Sequence, residues 1–270
     1  MDANLFGPRL ETVLDAAFET ASGTVLVVNP GPAAVEALID VVGTADVNVQ
    51  VLASEDALKT VFDDFIVAST AADLVDAGTL ALRTTADLPR ASLLVDDESV
   101  LALVEAGDRV AGLAADETEF VTAAAAVYGD DWADADPFTL RTPAISRVRD
   151  SLSADISPDV EADFDAVLAS LDTARGDGDG LDEVTISLLV AAKNRVLLYD
   201  ISKWGEDVGI ASKATFSRTK TRLEDLGLID TEKVPIDVGR PRLRLQLADE
   251  RLRDADAADL ASVASSVLAS

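Results

Sequence analysis

Over the first 145 residues the apolar positions alternate between a period near 3.6 and short β-branched runs, the pattern of helices layered on a largely parallel sheet. Leu5, Leu10, Val13, Leu14, Ala17 and Phe18 recur at helical spacing and stop before Gly23. Thr24 to Val28 then reads as a strand leading into the turn Asn29-Pro-Gly31. Val35, Leu38, Ile39 and Val42 mark the next helix, and residues 47–52 a second strand. Ser54 is placed to cap a helix opening with Glu55 and Asp56, and helical spacing resumes until about Ala77. Residues 79–83, 92–95 and 100–104 predict further strands, the last two forming a hairpin around Asp96-Asp97-Glu98. Residues 117–128 predict a helix, after which Asp130 to Pro137 breaks the pattern and the first domain closes near residue 145.

Ile156, Val160, Phe164, Val167, Leu168 and Leu171 give residues 146–181 the spacing of a helical connector, which runs into Gly176-Asp-Gly-Asp-Gly180. Its Asp-x-Asp-Gly core resembles the start of a calcium loop, but the twelfth position is Leu188 rather than a bidentate glutamate, so a flexible linker is expected.

Residues 182–248 predict a different module. Ile186, Leu189, Val190, Val196, Leu197 and Ile201 place a first helix over residues 183–199, and a shorter segment over 202–208 ends at Gly209. Glycine at that point suits the sharp turn of a helix-turn-helix, and Ser212 can cap the next helix. In that helix Phe216, Thr219, Leu223 and Leu226 share an inward face. Ala214, Ser217, Arg218 and Thr221 lie opposite, with Lys213, Lys220 and Arg222 on the flanks. Residues 228–234 should then pair with 243–247 across the turn Asp237-Val-Gly-Arg-Pro241, forming a wing. Leu243, Leu245 and Leu247 alternate there with Arg242, Arg244 and Gln246, and Arg240 stands at the tip. Leu252, Leu260, Val263, Val267 and Leu268 form an apolar stripe on a last helix within residues 249–270. The chain is thus read as an α/β N-terminal regulatory domain (1–145), a connector and linker (146–181), an α+β C-terminal winged helix-turn-helix (182–248) and a terminal helix (249–270).

Charge gives this module its expected partner. The chain carries a formal net charge of −28, yet residues 193–244 hold eleven basic residues against eight acidic ones, leaving that window at +3 and the remainder at −31. Duplex DNA would be drawn to the window and repelled elsewhere. Short, hydrogen-bonding residues around Arg218 suit approach to the floor of the major groove, while the flanking and wing cations suit phosphates. The DNA-contacting set is therefore Lys213, Ala214, Ser217, Arg218, Lys220, Thr221, Arg222, Arg240, Arg242 and Arg244.

With no cysteine and no histidine the chain lacks disulfides, the usual zinc ligands and every histidine-dependent nucleophilic triad. No cofactor is expected. No apolar run approaches the length needed to span a bilayer, and a cytoplasmic location is expected. Fifty acidic residues against six lysines resemble the composition of salt-in haloarchaeal proteins.

The segments Ser212-Lys-Ala-Thr-Phe-Ser-Arg218, Leu223-Glu-Asp-Leu-Gly-Leu-Ile229 and Gly239-Arg-Pro241 resemble the winged-helix signature of archaeal and bacterial regulators. Together with the composition and the α/β N-terminal half, the layout resembles the haloarchaeal transcriptional regulators of the TbsP type. That resemblance implies sequence-specific regulation of central sugar-metabolism genes. Residues 90–97 also resemble the strand carrying the His-x-Lys-x4-Asp motif of phospholipase D-like domains, found as sensors in the sugar-responsive TrmB regulators. Arg90 and Ser92 stand where that motif has histidine and lysine, with Asp97 as its aspartate, so such a domain would be a sensor without catalysis. A sugar or sugar phosphate is the implied effector.

Two other classes compete: a magnesium-dependent hydrolase or phosphotransferase built on Asp96, Asp97 and Glu98, and a partner-binding protein whose winged helix binds protein. Outward-facing arginines favour DNA over a protein partner. A homodimer is expected, because two winged helices double the contact and match a palindromic site. Its candidate surfaces are the terminal stripe and the connector between Phe164 and Leu171.

Overall fold

The computed structural model describes residues 4–21, 23–175, 181–235 and 241–268. The linker glycines and aspartates at 176–180, and the wing tip at 236–240 with Arg240, lie outside the described residues. The chain divides into two compact units, Met1–Asp63 with Thr70–Leu140, and Asp64–Ser69 with Arg141–Ser270.

The first unit runs β1 (Leu5–Gly7), α1 (Leu10–Thr20), β2 (Thr24–Val28), α2 (Pro32–Val42), β3 (Asn48–Ala53), α3 (Glu55–Val61) and α4 (Phe65–Asp76), whose first turn groups with the other unit. It continues through β4 (Leu80–Thr84), β5 (Ser92–Val95), β6 (Val100–Ala106), β7 (Arg109–Ala115), α5 (Thr118–Asp134) and β8 (Asp136–Pro137). Among the described residues these strands form one eight-stranded sheet in the order β1-β7-β6-β5-β2-β3-β4-β8. Strands β2, β3 and β4 are parallel; β2 is a buried apolar run from Val25 to Val28, β3 is buried from Val51 to Ala53, and β4 buries only Leu80 and Leu82. The other pairings are antiparallel.

Three local choices shape this unit. Ser54 Oγ accepts from the Ala57 N–H, as its place before Glu55 predicts. Asn29 holds φ at 50° after β2 and donates from Nδ2 to the Pro89 carbonyl at 2.7 Å. Arg83 on β4 donates to the carbonyls of Trp132 and Ala133 at 2.7 and 3.1 Å and stacks over the Trp132 ring, closing the last turn of α5. That closure carries α5 through Asp134, past the break expected at Asp130.

Leu5 is a second correction: it starts an edge strand paired to β7, because Pro8 separates it from α1. The hairpin at Asp96 forms as expected, and its carboxylate builds it. Asp96 Oδ1 accepts from the backbone N–H groups of Glu98 and Ser99, both at 2.7 Å. Among the described residues no group of three or more acidic side chains is arranged to hold a metal ion.

The second unit holds α6 (Ile145–Asp155), α7 (Pro158–Ala169), α8 (Glu183–Lys193), α9 (Leu198–Val208), α10 (Lys213–Asp225), β9 (Ile229–Val234), β10 (Arg242–Leu247), α11 (Glu250–Asp254) and α12 (Ala257–Leu268). Helix α7 packs on α6, α8 and α12, and α12 also touches α8. The two surfaces expected to hold a second copy are therefore corrected. Phe164, Val167 and Leu168 from the connector, and Leu252 and Leu260 from the C-terminal stripe, are core residues of this unit, with Val263 and Val267 packed against them. The side chain of Leu268 is not among those described.

Asp64 anchors the short N-terminal segment of this unit. Its buried carboxylate caps α4 through the Ile66 N–H at 2.9 Å and accepts from the Ala174 N–H and Arg175 Nε. Phe65 meets Phe164 edge to face, with centroids 6.4 Å apart. No helix of the described residues is long and apolar enough to cross a membrane.

Candidate nucleic-acid interface

Helices α8, α9 and α10 with strands β9 and β10 build a winged helix-turn-helix. Asp182 caps α8 through the Thr185 N–H at 2.7 Å. The helix stops at Lys193, six residues before the expected Tyr199, because Arg195 turns the chain with φ at 55°. Residues 196–197 are then free to join the wing. Leu197 bridges to Arg244, and the Leu245 N–H donates to the Val196 carbonyl at 2.9 Å. Tyr199 consequently belongs to α9, which spans eleven residues rather than the short segment expected.

Helix α9 ends at Gly209, whose φ of 99° turns the chain toward α10. Ser212 Oγ accepts from the Thr215 N–H and starts α10 at Lys213, as its sequence position predicts. Phe216 and Leu223 are buried against the unit's core, whereas Leu226, expected on that inward face, is exposed. The reason is local: Leu226 is already the C-cap of α10, and Leu228, just past the turn, takes the buried place. Trp204 on α9 donates from Nε1 to Ser151 Oγ at 2.8 Å, fixing α9 on α6. Strands β9 and β10 pair antiparallel from Ile229↔Leu247 to Val234↔Arg242.

The outward face of α10 displays Ala214, Ser217, Arg218 and Thr221, all exposed. Arg218 reaches only Thr215 Oγ1, at 3.4 Å, and neither Arg218 nor Arg222 forms an ion pair among the described residues. Most neighbouring cations are engaged. Lys213 pairs with Glu206 at 2.6 Å, Lys203 with Asp207, and Arg195 with Glu232 at 2.8 Å. Lys220 is only 12% exposed and pairs with Glu224 at 2.7 Å, while Glu224 also accepts from Thr231 Oγ1. Arg242 stacks 4.4 Å above the exposed Tyr199 ring and reaches Asp200 at 3.4 Å. Arg244 lies on the same strand, half-buried. The hydrogen bond from Lys213 holds the Glu206 carboxyl below its ordinary range, and the bond from Lys203 does the same for Asp207. The ammonium groups of both lysines are raised correspondingly.

The structure thus brings Ala214, Ser217, Arg218, Thr221 and Arg222 onto one exposed helix, places Lys213 at its N-terminal end, and turns Lys220 inward. Four features escaped the sequence reading. The carboxylates of Glu206 and Asp207 border the basic helix, and the pairing of Lys203 with Asp207 and Lys220 with Glu224 was visible as i,i+4 spacing. The Tyr199–Arg242 stack and the close approach of Gly205 to Phe216 join residues distant in sequence and had no sequence signal.

Comparison with known proteins covers nearly the whole chain. The model for the Transcriptional regulator TbsP-like N-terminal domain matches residues 2–143, and that for the Transcriptional regulator TbsP-like C-terminal HTH domain matches residues 144–265. The chain belongs to the TbsP-like transcriptional regulators. The winged module of this TbsP-like regulator, with α6, α7 and most of α12, falls in the second of these domains. Among curated proteins, none matches the chain. Among solved structures, the archaeal chromatin protein TrmBL2, described as showing a novel mode of DNA binding, is similar at 19% identity with a TM-score of 0.37. That similarity covers 50% of this chain and 53% of TrmBL2, about half the length of each.

Proposed function

We propose that this TbsP-like regulator binds operator DNA in a sequence-specific manner, with α10 in the major groove. The observation that carries the reading is Arg218: an exposed guanidinium with no ion-pair partner among the described residues, at the centre of the outward face and flanked by the short side chains of Ala214, Ser217 and Thr221. A fork of donors there can pair bidentately with a guanine edge, and short neighbours let the helix approach. Arg222 and Lys213 take phosphates on the flanks, as does Lys220 after giving up Glu224. Arg240, Arg242 and Arg244 on the wing take the backbone or minor groove.

Two copies act together, doubling the base contacts and matching a two-fold operator. The first unit serves as the sensor. The C-terminal ends of β2, β3 and β4 are where open α/β sheets hold ligands, and Asn29 follows the first of them. A sugar or sugar phosphate as effector, and central sugar metabolism as the regulated process, follow from the family resemblance alone. A halophilic, cytoplasmic setting is supported by 50 acidic against 22 basic residues. The protein acts without catalysing a reaction.

Fluorescence anisotropy of the full-length protein with labelled promoter duplexes in molar KCl tests the reading. Saturable binding that a random duplex does not displace is expected. Equal displacement by promoter and random duplex would leave only non-specific attraction.

A further inference from the structure

One face of the first unit's sheet is left bare. Val95 and Val100 pack under α5, and the strand registers carry that same face outward through Ala102 and Val104 on β6, Ala111 and Leu113 on β7, and Phe6 on β1. Helix α5 packs on β2 and β5 and leaves these outer strands open: Phe6 is 67% exposed, Val104 43% and Leu113 44%. The helix itself carries a second apolar stripe, with Phe120 51% and Val127 57% exposed and Ala123 between them at helical spacing. A sheet face in an α/β layer and an amphipathic helix stripe each need a cover.

We infer that this face is covered by a second copy of the chain, through two-fold packing that lays each protomer's α5 stripe over the other's β6-β7-β1 strands. The inference rests on, and deepens, the proposed two-copy assembly by naming its surface. Three observations select this occupant. First, the two bare surfaces are complementary in kind, an uncovered helix stripe and uncovered outer strands, which a two-fold axis satisfies reciprocally. Second, the strand residues of the patch are uncharged in a chain of net charge −28, with Arg109 closing it at the hairpin. Two copies repel wherever carboxylates meet, and this packing sets each α5, which carries Glu119, Asp130 and Asp131 beside its stripe, against strands that present no carboxylate on that face. Third, the large exposed side chains offer on the order of 500 Å² of apolar surface, which with the intervening alanines and a polar rim approaches the roughly 800 Å² per partner of a stable interface. Association by strand addition at β1 is disfavoured, since that edge is three residues long and followed by Pro8.

Sedimentation equilibrium of the full-length protein in molar KCl reads the assembly. Wild type should be a dimer. Leu113→Asp and Val127→Asp, both at exposed positions the fold does not need, should raise the dimer dissociation constant on the order of 100-fold, while Leu226→Asp in the second unit should leave it unchanged. The cysteine-free chain allows a second arm: Leu113→Cys and Phe120→Cys proteins, mixed and treated with a short bis-maleimide, should cross-link to each other. A wild-type monomer would overturn the assembly and its surface together. A wild-type dimer that persists in both aspartate variants and yields no cross-link would overturn the surface alone.

Discussion

The ring of Phe216 on α10 occupies the space where a β-carbon on Gly205 of α9 would stand, its edge well inside van der Waals contact of that point. The two helices of the turn can therefore approach only because residue 205 has no side chain. Gly205→Ala gains some helix propensity and loses more by overpacking, so it should destabilise the second unit by about 1–3 kcal/mol. Denaturant unfolding followed by Trp204 fluorescence checks the value; an unchanged midpoint would mean that α10 shifts freely.

Arg218→Ala should cost about 1–3 kcal/mol of operator binding and relax preference at particular base pairs. Arg242→Ala should weaken all duplexes alike and matter less as KCl rises, because at molar salt the screening length is only about 3 Å. Titrations against an operator and its single-base variants at two KCl concentrations separate the two behaviours.

Glu206 holds Lys213 at the N-terminal end of α10 and adds a carboxylate where phosphate would pass. Glu206→Gln should tighten DNA binding several-fold at neutral pH by freeing the lysine and removing repulsion. Protonation has the same effect. Since the Lys213 hydrogen bond lowers the Glu206 pKa from 4.5, the pair stabilises the fold above that value and is lost only as pH falls through the lowered one. The variant should thus show its gain at neutral pH and converge with wild type in acid.

Asp40 on α2 behaves in the opposite sense. Burial, then the charges of Glu11 and Glu36, raise its carboxyl above the ordinary 3.8, so its ionised form opposes folding above the raised value and the opposition disappears below 3.8. Asp40→Asn should raise the thermal midpoint at neutral pH and leave it unchanged in acid. Melting curves across that range would show an equal shift at both ends if the cause were packing instead.

Periodicity and turn chemistry exposed the fold where the signals were local. Ser54 and Ser212 are caps, Gly209 is the turn between helices, and the hairpin at Asp96 closes through its own carboxylate. Tertiary causes were not legible. Arg83 extends α5 from across the sheet, and Arg195 splits one apparent helix into α8 and the wing bridge. An apolar stripe also does not declare its partner. Leu252 and Leu260 read as a docking surface and are core, whereas residues 117–128 read simply as a helix and α5 carries an exposed stripe. In the interface, the outward residues of α10 followed from helical spacing, and the Lys220–Glu224 pair stood at i,i+4, but spacing could not show that Lys220 is largely buried or that Glu206 borders the basic face.

Selection from random-sequence duplex DNA by the full-length protein and by Arg218→Ala, in molar KCl, tests DNA reading by α10 most directly. Wild type should enrich a two-fold symmetric motif, and Arg218→Ala should lose preference at one or two positions in each half-site while keeping the rest. No enrichment by wild type, or an identical motif from both proteins, would contradict the placement of Arg218 in the groove.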